Sequence, residues 1–289
     1  MRVAQLCIDT WHDLCEFATN VDGFMFRGQA DADWPLESSL ERAYRKYSPI
    51  ASHFEYGEKW ALHEFKQKYH LYSGSVPIDS DYFEWLALLQ HHGFPTRLLD
   101  FTWSIYTACF FAVANATTDS AIWCISHWGI RDHLLETFSL PYKKGYTLKD
   151  EVNQLHKELI NKCIGVLDPQ DKASHLVPLE STRHSQRLSR QQGLFLAPTT
   201  FGSFRSRITF EDSLRASFPA EESSIDISMW EFMNTGSPAT KFSQLKVVLP
   251  QSLYHVAHRQ LAAMGVTDES LFPDLDGLAR SLVLKHIRH

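Results

Sequence analysis

Residues 104–126 constrain this chain more than any other stretch. Residues 104–115 are small and aromatic and stay apolar almost all round a helical wheel, so a helix there has no face suited to water and must lie inside the protein. The following residues 121–126, Ala-Ile-Trp-Cys-Ile-Ser, read as its partner strand. A chain of 289 residues, 44% of them hydrophobic, can build a core around that pair. Phe110, Phe111, Trp123 and Leu249 are expected in it.

The remaining pattern supplies more helices first and more strands later. Residues 9–18 form a short helix capped by Asp9 or Thr10, and residues 23–28 form an aromatic strand with Arg27 at its terminus. Helices follow from Ser38 or Ser39 through residue 47, over 53–72, and over 81–92 behind a cap at Asp79 or Ser80. Gly93 and Pro95 stop the last of these, and residues 94–102 read as a loop. Strands are predicted at 193–197, 206–210 and 242–249, with helices at 148–161, 253–264 and 274–287. The result is an α+β fold of mixed and antiparallel strands with a helical N-terminal half, a single domain over 1–289 with an insertion at 128–181.

Several classes are disfavoured. The N-terminal residues lack the apolar core of a signal peptide, and the longest apolar run is about half the roughly 20 residues a bilayer demands, so a cytoplasmic protein away from membranes is expected. Five cysteines without a CxxC pair fit reduced thiols. No metal is expected: the adjacent His91 and His92 diverge by about 100° on a helix, and no further ligand set accompanies His255 and His258. A net charge of -6 argues against a broad nucleic-acid surface. Residues 183–207 nevertheless gather Arg183, His184, Arg187, Arg190, Arg205 and Arg207, which read either as a solvated face or as a patch for an anionic macromolecule.

Three blocks carry unusual polar density inside apolar frames: residues 26–42, 88–112 and 187–195. In the first, Arg27 offers a guanidinium fork for a phosphate or carboxylate, Gly28 would admit a ligand to the backbone, and Gln29 opens a polar loop. The alternative is an internal pairing of Arg27 with Asp31, Asp33 or Asp100. In the second, Thr96, Arg97, Asp100 and Thr102 exceed what helix capping requires, and Asp100 serves either as an ion-pair partner of Arg97 or Arg27 or as a general base. In the third, Gln191 and Gln192 present amides suited to a hydroxyl or ribose, and Gly193 would again permit close approach.

These blocks, Phe26-Arg27-Gly28 above all, together with residues 271–279 (LFPDLDGLA), resemble the FRG domain. That family occurs in bacterial and phage proteins, some linked with defence, and the resemblance implies little about activity. The order of the blocks is also similar to the ADP-ribosyltransferase superfamily, in which a strand ends in Arg-Gly, a second bears Ser/Thr before a buried helix, and a last strand carries a catalytic Glu. Gln191 and Gln192 stand where that Glu would be.

What this implies is a nucleotide-directed enzyme or sensor with NAD as a possible substrate and no metal. In it Arg27 holds a pyrophosphate, Thr102 and Gln192 hold ribose, and Asp100 orients or accepts a proton. Gly28, Gln29, Thr96, Arg97, Gln191 and Gly193 complete the expected contacts. The competing expectation is an interaction module without catalysis, in which residues 183–207 contact an anionic partner or nucleic acid.

Overall fold

The computed structural model describes residues 2–47, 57–74, 77–137, 174–181, 185–199, 209–218, 224–236 and 238–286. In chain order the first elements are β1 (Arg2–Cys7), α1 (Trp11–Ala18), β2 (Phe24–Gln29), α2 (Ser39–Tyr47), α3 (Gly57–Tyr69) and α4 (Tyr82–His91). Then come β3 (Leu99–Thr102), α5 (Ile105–Val113), β4 (Ser120–Ser126), α6 (His127–Thr137), β5 (Leu176–Leu179), α7 (Gln186–Arg190) and β6 (Gly193–Pro198). The rest are α8 (Phe210–Ser217), β7 (Ser224–Asp226), α9 (Met229–Met233), α10 (Pro238–Lys241), β8 (Phe242–Leu249), α11 (Tyr254–Ala263), α12 (Asp268–Leu271) and α13 (Leu275–His286).

The architecture is α+β. One sheet runs in the order β5-β6-β3-β2-β4-β8-β1-β7. β1 pairs in parallel with β8 and β7, and the other neighbours are antiparallel. Unlike the long ladder between β2 and β4, the ladder between β2 and β3 is a single pair, Phe26 opposite Thr102. The sheet therefore has a seam near its middle. Packing on the two faces follows the alternation of side chains along β2. Phe24 and Phe26 join a cluster with Ala108, Phe110 and Leu245, while Met25 joins a second with Trp85, Phe101 and Leu196.

Several local expectations are met. α5 begins where the Ser104 hydroxyl accepts the Thr107 amide, and seven of its nine residues are buried, from Ile105 to Val113. Phe110 and Leu249 are buried, whereas Phe111 and Trp123 are only partly covered. Others need correction. β1 was not expected: Ala4 and Leu6 are buried while Gln5 is partly covered and Cys7 exposed, but six residues show that alternation only briefly, and both parallel partners come from the far end of the chain. Residues 99–102 are a strand and not loop, since β6 pairs with all four of them. α1 is capped by Thr10, one of its two expected caps, whereas α4 is capped by Asp81 and not by Asp79 or Ser80. The expected helix at 148–161 and most of the expected strand at 206–210 lie outside the described residues, and Phe210 begins α8.

Candidate functional site

A cleft of about 770 Å³ opens over the seam between β2 and β3. β2 and β3 form its floor, and Trp34, Arg42 of α2, Gln90 of α4 and Arg187 of α7 stand around it. Arg27 is not at the strand terminus: β2 continues to Gln29 because Gln29 still pairs with Ala121. Held opposite Trp123, Arg27 turns its guanidinium into the seam, where Nη1 donates to the Asp100 carbonyl at 2.8 Å. Its Nε is buried and has no hydrogen-bond partner. Burial lowers the Arg27 pKa, the Asp100 charge opposes this, and the nearby Arg42 reinforces it. Among the described residues no carboxylate lies within ion-pair distance of Arg27.

Asp100 therefore meets Arg27 through its backbone, and the expected carboxylate pairing with Arg27 or Arg97 does not form. Its side chain is exposed, with Oδ1 accepting from Gln90 Nε2 at 3.0 Å. Gln90 is itself tied down. The Leu98 amide donates to Thr96 Oγ1 at 3.2 Å, so the Thr96 hydroxyl gives its hydrogen to Gln90 Oε1. With the Oε1 end so fixed, Gln90 can only donate toward Asp100.

Of the residues expected in one site, Arg27, Gly28, Gln29, Asp100, Thr102 and Gln191 line this cleft. Several do so while already engaged. The Thr102 hydroxyl donates to the Gln191 carbonyl at 2.7 Å and accepts the Ser104 amide at 3.0 Å. Gln191 Nε2 donates to the Leu271 carbonyl at 3.2 Å. The Gln29 amide bridges the Pro35 carbonyl and the Trp123 indole, at 3.1 and 2.7 Å, and so anchors the loop that carries Trp34.

The remaining expectations fall elsewhere. Thr96 is fully buried beside Ser39, and Arg97 is a buried ion-pair partner of Glu58, with Nε to Oε2 at 2.6 Å and the Arg97 amide to Oε1 at 2.9 Å. Neither lines the cleft. Gln192, at φ 47° in the left-handed region, lines a second cavity of about 660 Å³ with Trp103, His127 and Trp128. Gly28 does not open the backbone to a ligand, because a Cβ there would fall 2.0 Å from the Ala108 carbonyl oxygen of α5. At Gly193 the equivalent space belongs to Leu188, 2.5 Å away.

Two cleft residues escaped the sequence reading. Trp34 is 53% exposed at the rim, and Arg42 is exposed with Nη1 on the Glu37 carbonyl at 2.6 Å. Their signal was present as an aromatic and a cation within residues 26–42, without a period to say where they face. Arg45 is matched by Glu37 at 2.9 Å, and Glu84 accepts from Ser181 at 2.7 Å. What is left facing the space is Arg27, Arg42 and Arg187 with Asp100. Arg187 stacks over the Phe272 ring at 4.7 Å. Of the arginine-rich segment, Arg187 and Arg190 are exposed, while Arg183, His184, Arg205 and Arg207 lie outside the described residues. Among the described residues no three His, Cys, Asp or Glu side chains gather to hold a metal, and no helix is long and apolar enough to cross a membrane.

Residues 22–121 match the family model of the FRG domain. The matched span holds Arg27, Trp34, Arg42, Gln90, Asp100 and Thr102, and leaves Arg187 and Gln191 beyond it. Neither a curated protein nor a solved structure matches the chain.

Proposed function

We propose, from the FRG-domain match and the cleft it largely supplies, that this protein binds NAD or a related nucleotide over the seam between β2 and β3. The observation that carries the reading is Arg27. A guanidinium with a buried, unpartnered Nε and no carboxylate partner among the described residues is a cation awaiting an anion, since leaving a charged donor unsatisfied is costly. Arg42 and Arg187 add positive charge around it, and Trp34 offers an exposed ring for a base to stack upon. The volume lies within the range of small-ligand sites.

The chemistry proposed is of ADP-ribosyltransferase type, with Asp100 in place of the glutamate that the superfamily carries. Asp100 is the exposed carboxylate of the cleft, placed to stabilise positive charge developing on a ribose or to accept a proton from a hydroxyl nucleophile. Gln192 takes no part, because it belongs to the other cavity.

Thermal unfolding with and without NAD or ADP-ribose tests the clamp. A ligand at a hundred times its Kd stabilises the fold by about 2.7 kcal/mol, and that gain should vanish in Arg27→Lys, which keeps the charge and loses the fork. An unshifted wild type with NAD, ADP-ribose and ADP would defeat the proposal. Turnover is tested separately: NAD consumption by the wild type should disappear in Asp100→Asn even at NAD concentrations that saturate the variant. Binding without consumption makes the protein a sensor.

A further inference from the structure

Asp100 poses a problem for an anion-binding cleft. Its carboxylate is exposed to the same space as Arg27 and Arg42, where it repels the phosphates those arginines attract. The obvious resolution, neutralisation by an arginine, is absent among the described residues: Arg27 ends on the backbone carbonyl of Asp100. The side chain is instead aimed by a neutral amide, Gln90 Nε2 at 3.0 Å from Oδ1. The amide's orientation is fixed by a directed chain of donors from the Leu98 amide through the Thr96 hydroxyl to Gln90 Oε1. Thr96 is locked in turn, its amide donating to Ser39 Oγ at 3.0 Å and its carbonyl accepting from that hydroxyl at 3.1 Å. Four residues are arranged so that one carboxylate points in one direction.

An ionised carboxylate can only accept hydrogen bonds, and Gln90 occupies one of about four lone-pair sites. A ligand group that takes the others from solvent must be a donor that tolerates a neighbouring phosphate. A sugar diol meets that need, since two adjacent neutral hydroxyls match the two oxygens of a carboxylate and bring no like charge.

We infer that Asp100, aimed by Gln90, recognises the hydroxyls of a ribose, so that the cleft selects ribonucleotides with a free diol. The inference rests on the nucleotide reading above. It moves sugar recognition away from Thr102, whose hydroxyl hydrogen is already committed to the Gln191 carbonyl, and from Gln192. It also makes Gln90 and Thr96 positioning residues, acting through Asp100.

Calorimetric titration of the full chain with ADP-ribose, ADP and 2′,3′-dideoxy-ADP tests this. The wild type should bind at least one of the first two about tenfold or more tighter than the dideoxy compound, the effect of a charge-assisted hydrogen bond. That ratio should collapse toward one in the isosteric Asp100→Asn. Gln90→Leu should reduce the ratio while leaving dideoxy-ADP affinity unchanged, a split that general loss of folding would not produce. Should Gln90→Leu lower melting temperature, Gln90→Met and Thr96→Val serve the same comparison. Binding of all three nucleotides with equal affinity overturns the diol inference and leaves the nucleotide reading standing, whereas binding of none overturns both. A ratio lost in Asp100→Asn and kept in every Gln90 and Thr96 variant overturns the positioning role.

Discussion

Replacing Gly28 by Ala separates packing from ligand access at the Arg-Gly step. The added Cβ would lie 2.0 Å from the Ala108 carbonyl oxygen, 2.6 Å from the Ala112 nitrogen and 3.0 Å from the Ala108 carbonyl carbon. All three atoms are α5 backbone, so no rotamer change relieves the clash. Restoring van der Waals contact requires the helix and β2 to part by about 1.4 Å. α5 cannot follow freely, because Ile105, Ala108, Cys109, Phe110, Ala112 and Val113 are all buried against their surroundings. A gap of that size forfeits at least about a quarter to a half of each contact's attraction across that face, and overpacking in a tight core typically destabilises by about 1 to 3 kcal/mol. The backbone clash places Gly28→Ala at the top of that range, about 3 kcal/mol or more. The assay is the urea midpoint with an unchanged m-value, beside Gly93→Ala as control. Gly93 has φ 92° and nothing within 4 Å of its would-be Cβ, so only left-handed strain is added there, about 1 to 2 kcal/mol. A Gly28→Ala protein as stable as the Gly93→Ala one would refute the packing account.

Three further outcomes follow from other parts of the molecule. Arg97→Ala strands the buried Glu58 carboxylate and should destabilise by about 3 to 5 kcal/mol in chemical denaturation, and a loss under 1 kcal/mol would contradict the buried pairing. Burial first, then the hydrogen bond and charge of Asp9, push the Cys7 thiol up to about 11, and burial pushes Cys109 to about 12. In a Cys15→Ser, Cys163→Ser background, labelling by a maleimide should thus be slow at pH 8, where about 0.1% of Cys7 is thiolate, and should rise about tenfold per pH unit. Labelling within seconds at pH 8 would contradict it. Burial and the neighbouring His175 lower the His133 pKa, so the unfolded chain takes up more protons there: stability is full above the unfolded value near 6.5 and falls as pH drops below it. His133→Gln should flatten the loss of stability between pH 6.5 and 5, and an unchanged slope would show that His133 does not contribute.

What the sequence disclosed depended on whether the cause was local. α5 announced itself because its burial is written into consecutive residues, and α4 because Gly93 follows its last turn in the left-handed region. Arg27, Asp100, Thr102 and Gln191 stood out as polar groups in apolar frames, and the fold gathers them into one cleft. Arg97 looked the same from the sequence, yet its partner Glu58 is 39 positions away on α3. Nothing in local spacing distinguishes an arginine bound for a buried carboxylate from one bound for a cavity. Gly28 misled for a similar reason: its small size serves α5, which arrives from a segment 80 residues later. β3 hid as a loop because four residues are too few to show alternation, and only β6 makes them a strand.

The single rung between β2 and β3 gives the sheet an uneven mechanics. On one side stand three strands, on the other five, each set stitched by longer ladders. Where further rungs would have continued, a side chain does the joining: Arg27 lends its Nη1 to a carbonyl that a neighbouring strand would otherwise have engaged. The seam is thus the place where the two plates can part with the fewest backbone bonds broken, and the residue that bridges it is the one with a donor to spare. Amide exchange should register this asymmetry, with slow exchange along β4 and β8 and faster exchange at the facing edges of β2 and β3. The cleft sits at the line along which the sheet yields.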